Sequence, residues 1–326
     1  MTNKPNIQKL VLWLHVPLIL ILFVYTLLDT AAQPQQEQQQ YIFVTQWGSE
    51  GSDPGQFMGH NDVVPSPDRG YIFVPDYENH RIQKFDNNGT FIMEWGSGSE
   101  SALDAEFDNP HSVDVDMSGN VYVSDKDNHR LQKFTGDGQF IAKWGSEGTG
   151  DGQFTHLHGI AVDPHLGDVY ATDTENFNVQ RFDNNGTFIT KWGAEGTAPG
   201  QFGSLESLDV DSHGDVYVAD YDNDRIQKFS NDGTFITEWG TEGEATGQFN
   251  NPAGVAVDSE DNVYVTDVNN NRIQKFTSNG TFVTLWGSEG EGEGQFSEPE
   301  GIDVDPKGNV YVADTGNFRI QVFRPA

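Results

Sequence analysis

The sequence predicts an all-β fold, a closed ring of six four-stranded sheets arranged as a β-propeller. Three observations carry that prediction. Trp-Gly recurs at Trp47, Trp95, Trp144, Trp192, Trp239 and Trp286, with spacings of 48, 49, 48, 47 and 47 residues. Such regularity means one supersecondary unit copied in series. Each unit holds four short β-prone runs separated by turn residues. The repeats also end on a third strand, Arg319-Ile320-Gln321-Val322-Phe323, while they begin with Tyr41 to Gly48, which reads as an unaccompanied fourth strand. Pairing these two completes the last blade and removes the open edge of a linear array.

The N-terminal segment is different material. Leu10 to Leu28 is almost wholly apolar, with Lys4 and Lys9 before it and the polar run Gln33 to Gln40 after it. A helix of this length can cross ~30 Å of hydrocarbon, and the preceding lysines favour a cytoplasmic N-terminus. The expected organisation is a hydrophobic helix in residues 1–28 as membrane anchor or signal segment, a Gln-rich linker at 29–40, and the propeller at 41–326. In the competing reading a signal peptide is cleaved near Thr30-Ala31-Ala32. Either way the repeats are expected outside the cytoplasm, on a single-pass protein of the cell membrane or on a secreted one.

The fifth unit shows how a blade is built. Gly254 to Asp258 is a short alternating strand, a turn follows at Ser259-Glu260-Asp261, and Asn262 to Asp267 is a second strand rich in β-branched and aromatic residues. A loop at Asn270 to Arg272 leads to the strand Ile273 to Phe276. Ser278-Asn279-Gly280 is a hairpin turn where positive φ is cheap, and Thr281 to Trp286 is the outermost strand.

Composition excludes several function classes. Fifty acidic against 18 basic residues give a formal charge of -32. Ten of the basic residues (Arg81, Lys84, Arg130, Lys133, Arg181, Arg225, Lys228, Arg272, Lys275 and Arg319) sit at fixed repeat positions and form no free patch. Nucleic acid is therefore not an expected partner, since its phosphates need clustered Lys and Arg. No cysteine is present, which excludes disulfides, thiolate metal sites and thiol nucleophiles. No nucleotide-binding loop, Gly-x-Ser-x-Gly elbow or His-Glu-x-x-His helix occurs.

The third-strand phrases Asn79-His80-Arg81-Ile82-Gln83-Lys84-Phe85 and Asn128-His129-Arg130-Leu131-Gln132-Lys133-Phe134 resemble NHL repeats, and the resemblance covers residues 41 to 324. It implies a platform that binds protein or RNA, on a fold that some enzymes share. The phrase recurs around Arg225, Arg272 and Arg319, while the third copy has Asn178 in place of Arg. Asp76, Asp125, Asp173, Asp220, Asp267 and Asp314 close the second strand of the six blades. Asp and Arg read as a structural clamp, so blade three should be the loosest.

Positions where the copies differ are the informative ones. The innermost strands start at Asn61, His111, His158, Glu206, Ala253 and Glu300. The residues after the strand-closing Asp are Tyr77, Lys126, Thr174, Tyr221, Val268 and Thr315. Both sets should ring one mouth of the central channel. There His111, His158, Glu206 and Glu300 are candidate ligands for Zn²⁺ or Ca²⁺, Asn61 is a further candidate ligand-binding residue, and Tyr77, Lys126 and Tyr221 are candidate catalytic groups. The bland reading makes both histidines polar channel residues. Asn109-Pro110-His111-Ser112 and His156-Leu157-His158-Gly159 are also similar to the zinc-binding phrases of lyases that cleave peptidyl-α-hydroxyglycine. That family takes three histidines from alternate blades. Here the two lie in adjacent blades, and Lys126 stands where the lyases have arginine.

The leading expectation is a monomeric, membrane-tethered propeller that acts as a scaffold for a protein or small-molecule ligand at its mouth. The alternative is a metal-dependent lyase of the amidating type, or a related hydrolase, at the same place. Asp114 to Asp125, Asp209 to Asp220 and Asp303 to Asp314 imitate calcium loops but contain a strand, so they read as β-turns. Asp114, Asp209 and Asp303 fall on alternate blades, a regularity the local pattern does not explain. Asn88, Asn185 and Asn279 open Asn-Gly-Thr sequons on exposed hairpins and are candidate glycosylation sites.

Overall fold

The computed structural model describes residues 40–67, 70–96 and 101–326. The expected membrane helix, residues 1–28, and the expected linker, 29–40, apart from Gln40, lie outside the described residues. Among the described residues no helix is long and apolar enough to cross a membrane.

Six four-stranded antiparallel sheets follow one another along the chain. Blade five comprises Pro252–Val257, Val263–Asp267, Arg272–Phe276 and Phe282–Trp286 from axis to rim. Blade six assembles Pro299–Val304, Val310–Asp314 and Arg319–Pro325 with Tyr41–Trp47, which pairs antiparallel with Arg319–Pro325. Inner strands touch their neighbours in cyclic order, blade six reaching blade one. The core lies between blades: Phe73 and Trp95 of blade one pack on Val113, Val123 and Phe134 of blade two.

The Trp-Gly repeat has a backbone cause. Gly240 adopts φ +108, and a Cβ there would come within 2.7 Å of the Asp224 carbonyl and 2.6 Å of the Phe249 ring. Only glycine lets the chain leave the rim strand so close to the Phe that anchors the next blade.

The Asp-Arg pair is a clamp in five blades. Asp267 is fully buried and accepts from Arg272 Nε at 2.7 Å, Gln274 Nε2 at 3.1 Å and Asn250 N at 2.7 Å. The Arg272 guanidinium also donates to the carbonyls of Glu244, Ala245 and Gln248. In blade three Asn178 donates only locally, to Asn176 O, and Lys191 Nζ reaches the Thr149 carbonyl. Where the sequence suggested a plain loop between second and third strands, five blades form a single 3₁₀ turn, as at Lys126–Asn128. The calcium-loop mimics are turns: Asp116 Oδ1 accepts from the backbone N–H of Ser118 and Asn120.

Candidate functional site

The first residues of the inner strands and the 3₁₀ turns meet at one mouth of the channel. Asn61, His111, Glu206, Ala253 and Glu300 line it, over a waist of about 20 Å³. The waist is narrow because the next position in each blade is small or an Asp: Asp62, Ser112, Gly159, Ser207, Gly254 and Gly301. A Cβ on Gly254 would come within 2.3 Å of the Glu300 carbonyl, so glycine there is what lets the strands converge.

Four candidates form a chain of contacts. Asn61 Nδ2 lies 3.0 Å from His111 Nε2. An amide nitrogen only donates, so His111 Nε2 accepts. The rings of His111 and His158 stack with centroids 4.2 Å apart and planes at 19°. His158 Nδ1 lies 2.7 Å from Glu206 Oε2. With the carboxylate accepting, Nδ1 is the donor. His158 Nε2 is buried without a hydrogen-bond partner. One donor atom from each of His111, His158 and Glu206 lies within 4.8 Å of the others. Glu300 is not in this group, which narrows the expected ligand set to three.

Electrostatics separates the roles. Burial, then the neighbouring His158 and Lys126, holds the His111 pKa well below its ordinary value, so the ring is neutral, as a metal ligand must be. Burial, reinforced by Glu206 and Glu298, pushes the Glu300 carboxyl up to about 8, against the pull of Lys126. Burial also lowers the Lys126 ammonium, with Asp127, Glu206 and Glu300 opposing. Tyr77 and Tyr221 are raised, first by burial and then by surrounding carboxylates, so both stay neutral phenols. Tyr77 meets His111 edge-on at 6.2 Å, and Lys126 Nζ sits 5.3 Å from the Tyr77 ring centre.

Sequence comparison of the blades missed His156, whose ring meets His158 edge-on at 4.6 Å and whose Nδ1 lies 3.4 Å from Glu175. Its signal was the spacing His156-Leu157-His158 at the strand entrance. Thr174 and Thr315, on the same ring of positions, donate to the carbonyls of Leu205 and His60 and tie blades together.

Two imidazoles and a carboxylate are donor types that catalytic zinc sites use. Stacked rings hold their in-plane lone pairs nearly parallel, so a common ion would require the rings to turn out of the stack. The orphaned, buried Nε2 of His158 and the neutral His111 fit that ion.

The chain matches the NHL repeat model at residues 107–134, 154–182, 202–229, 249–276 and 296–323. It is similar to peptidyl-glycine alpha-amidating monooxygenase B of Xenopus laevis, 44% identical over 66 residues, which are 19% of this chain and 8% of that protein. The Mus musculus peptidyl-glycine alpha-amidating monooxygenase is 34% identical over 84 residues, 25% of this chain and 9% of that protein. The chain thus spans under a tenth of the relatives it matches. Among solved structures, a streptogramin B lyase superposes with a TM-score of 0.62 at 15% identity, covering 89% of this chain and 99% of that one. An auxiliary nutrient binding protein from Bacteroides ovatus gives 0.64 at 14%, covering 89% and 78%. One of these neighbours is a lyase and the other a binding protein, so they establish the fold alone. The chain is a six-bladed β-propeller carrying five NHL repeats.

Proposed function

We propose that the histidine-bearing mouth is the active site of a metal-dependent lyase, with a divalent ion held by His111, His158 and Glu206. The observation that carries this reading is the approach of those three donors to within 4.8 Å on three consecutive blades. Local similarity to amidating enzymes supports it and suggests a peptidyl-α-hydroxyglycine or a related carbinolamide as substrate.

When bound, the ion supplies a Lewis acid that polarises a substrate oxygen. The chain's own groups do the rest. Glu300 is protonated at neutral pH, because its carboxyl is held at about 8, so it can donate a proton as the scissile bond breaks. Lys126 supplies a cation for a substrate carboxylate. The neutral hydroxyls of Tyr77 and Tyr221 can hydrogen-bond the substrate and orient it.

A second reading keeps the mouth as a binding scaffold. Asn61 and Ala253 favour it, since they stand in blades one and five, where an alternate-blade set built on His158 would place its other two imidazoles. In both readings the finer expectation stands that residues 10–28 tether the propeller outside the cytoplasm. Metal-free protein reloaded with Zn²⁺ separates the two. The lyase reading expects one ion per chain, lost in the His111→Ala/His158→Ala variant, and turnover of a peptide ending in α-hydroxyglycine. No stoichiometric zinc, or unchanged affinity in that variant, would sink it.

A further inference from the structure

Blade three keeps the oxygens of the clamp but not its arginine. In blade five the Arg272 guanidinium is enclosed by Asp267 and by the carbonyls of Glu244, Ala245 and Gln248. Blades one, two, four and six pair Arg81, Arg130, Arg225 and Arg319 with their aspartates in the same way. Counted from Phe154 and from the strand-closing Asp, the matching oxygens of blade three belong to Asp173, Thr149, Gly150 and Gln153, with Asn178 at the arginine position. Asn178 stands directly opposite Asp173 across the strand pair, as Arg272 stands opposite Asp267. One frame therefore recurs in every blade, and in five of them it surrounds a cation.

Three observations show that Asn178 does not take over the work of the guanidinium. Asp173 is fully buried and, among the described residues, joins no ion pair, whereas each of the other five aspartates has an arginine at 2.6–2.8 Å. Asp267 Oδ2 accepts from Asn270 Nδ2, Arg272 Nε and Gln274 Nε2. Among the described residues Asp173 Oδ2 accepts only from Asn176 Nδ2, at 2.7 Å, and Gln180 donates to the Gln153 carbonyl instead. Finally, Asn178 turns its Nδ2 to Asn176 O at 2.9 Å and leaves Oδ1 buried without a hydrogen-bond partner, on a residue only 9% exposed. A buried charge without a counter-charge and a buried oxygen without a donor each cost free energy. They sit on directly paired residues, whose Cα atoms lie ~4.5–5.5 Å apart in an antiparallel sheet, so one small cation can relieve both. Lys191 is not that cation, because its ammonium pairs with the exposed Asp151 at 3.0 Å and with Thr149 O at 3.2 Å.

We propose that blade three binds a monovalent metal cation, potassium or sodium, between Asp173 Oδ2, Asn178 Oδ1 and the carbonyls of Gly150 and Gln153. The valence follows from the donors. One carboxylate among neutral oxygens calls for one positive charge, that of the arginine in the other blades, whereas calcium sites gather several carboxylates. Oxygen donors without nitrogen or sulfur suit a hard ion. The Ala245 and Gln248 carbonyls each accept two N–H groups in blade five, one of them from Arg272. Their counterparts Gly150 and Gln153 accept one each, from Gln153 N and Gln180 Nε2, which leaves a lone pair for the ion. The loop is exposed at Thr149 and Asp151, so solvent reaches it. Asp173 Oδ1 also accepts from Thr155 N and His156 N at 3.1 Å. The ion thus steadies the segment that carries His156 and His158 to the mouth.

Amide hydrogen exchange of the full chain tests the proposal, run at equal ionic strength in KCl, NaCl, CaCl₂ and choline chloride, whose bulky cation has no N–H. The ion must leave when the loop opens. Exchange in residues 146–154 should therefore slow about tenfold at ten times the dissociation constant of K⁺ or Na⁺, and the effect should saturate. The contrast between the two salts names the ion. Residues 241–249, the matching loop of blade five, should not respond. Asn178→Arg should exchange slowly in every salt, since its guanidinium replaces the ion. Asp173→Asn should exchange fast in every salt, and where it does not fold, Asn178→Arg carries the test. Equal exchange of residues 146–154 in choline and alkali chlorides, a larger response to Ca²⁺, an equal response in residues 241–249, or a response retained in Asn178→Arg would each overturn it.

Discussion

Replacing Arg272 with Met tests what holds a blade to its entry loop. The aliphatic stem is kept while the guanidinium, which holds Asp267 and three carbonyls, is lost. Breaking a buried ion pair from one side costs ~3–5 kcal/mol. The structure places this case at the low end. Asp267 keeps Asn250 N, Asn270 Nδ2 and Gln274 Nε2 as donors, and Glu244 and Ala245 are exposed enough for water to replace the guanidinium. A loss of about 3 kcal/mol is expected. It should be read by urea unfolding followed by tryptophan fluorescence, and by faster amide exchange in residues 241–249. Burial already raises the Asp267 carboxyl, and losing the arginine raises it further. A group raised in the folded state destabilises above its folded pKa and recovers as pH falls, so the variant's deficit should shrink from pH 7 to pH 5. Asp267→Asn/Arg272→Met should recover part of it. A cost under about 1 kcal/mol, the range of surface pairs, or no recovery in the double variant, would refute the clamp.

Asn178→Arg should stabilise blade three and slow amide exchange in residues 146–154, because Asp173 already accepts from Thr155 N, His156 N and Asn176 Nδ2 in the clamp geometry; unchanged exchange would count against blade three being loose. If the mouth is catalytic, Glu300→Gln should remove the fall in activity that wild type shows as pH rises through about 8, where the proton donor is lost. Lys126→Ala should raise KM for a carboxylate-ended peptide more than it lowers kcat, whereas an equal fall in both would place the lysine elsewhere. His60 is fully buried, donates to the Arg319 carbonyl at 3.0 Å, and is held at about 4 by burial. A depressed folded pKa gives stability that is present above the unfolded value and lost as pH falls toward 4, about 3 kcal/mol in all. His60→Leu, the residue type of blades three and four at this position, should therefore lose less stability between pH 7 and pH 4 than wild type.

The ring was legible because its cause is local and repeated. A glycine that alone tolerates φ +108 against the next blade's Phe must recur wherever a rim strand ends. Strand edges followed from alternation to within a residue or two, as at Gly254 to Asp258 against Pro252–Val257. The 3₁₀ turns were not legible, since they end on varied left-handed residues: His80, His129, Asp224, Asn271 and Phe318. No single residue type announces them.

Which candidate residues share one mouth was legible, but how they touch was not. Aligning the copies placed Asn61, His111, His158, Glu206 and Glu300 on one ring, because a fixed offset from a fixed anchor is a position in space once the fold is a ring. Which of them touch depends on side-chain rotation, so the stacking of His111 on His158 and the exclusion of Glu300 from the triad had no sequence signal. The alternating aspartates show the same limit from the other side. Asp114 holds Val162 N and Asp209 holds Val257 N, each across 48 residues to the next blade. A contact of that span leaves only a two-blade period in the sequence, without its reason. Two differently built cavities follow from one repeat, because even and odd blades depart from it differently on either side of a waist closed by Gly159, Gly254 and Gly301. A stacked imidazole pair stands at one mouth, and spaced aspartates set in a valine-lined wall stand at the other.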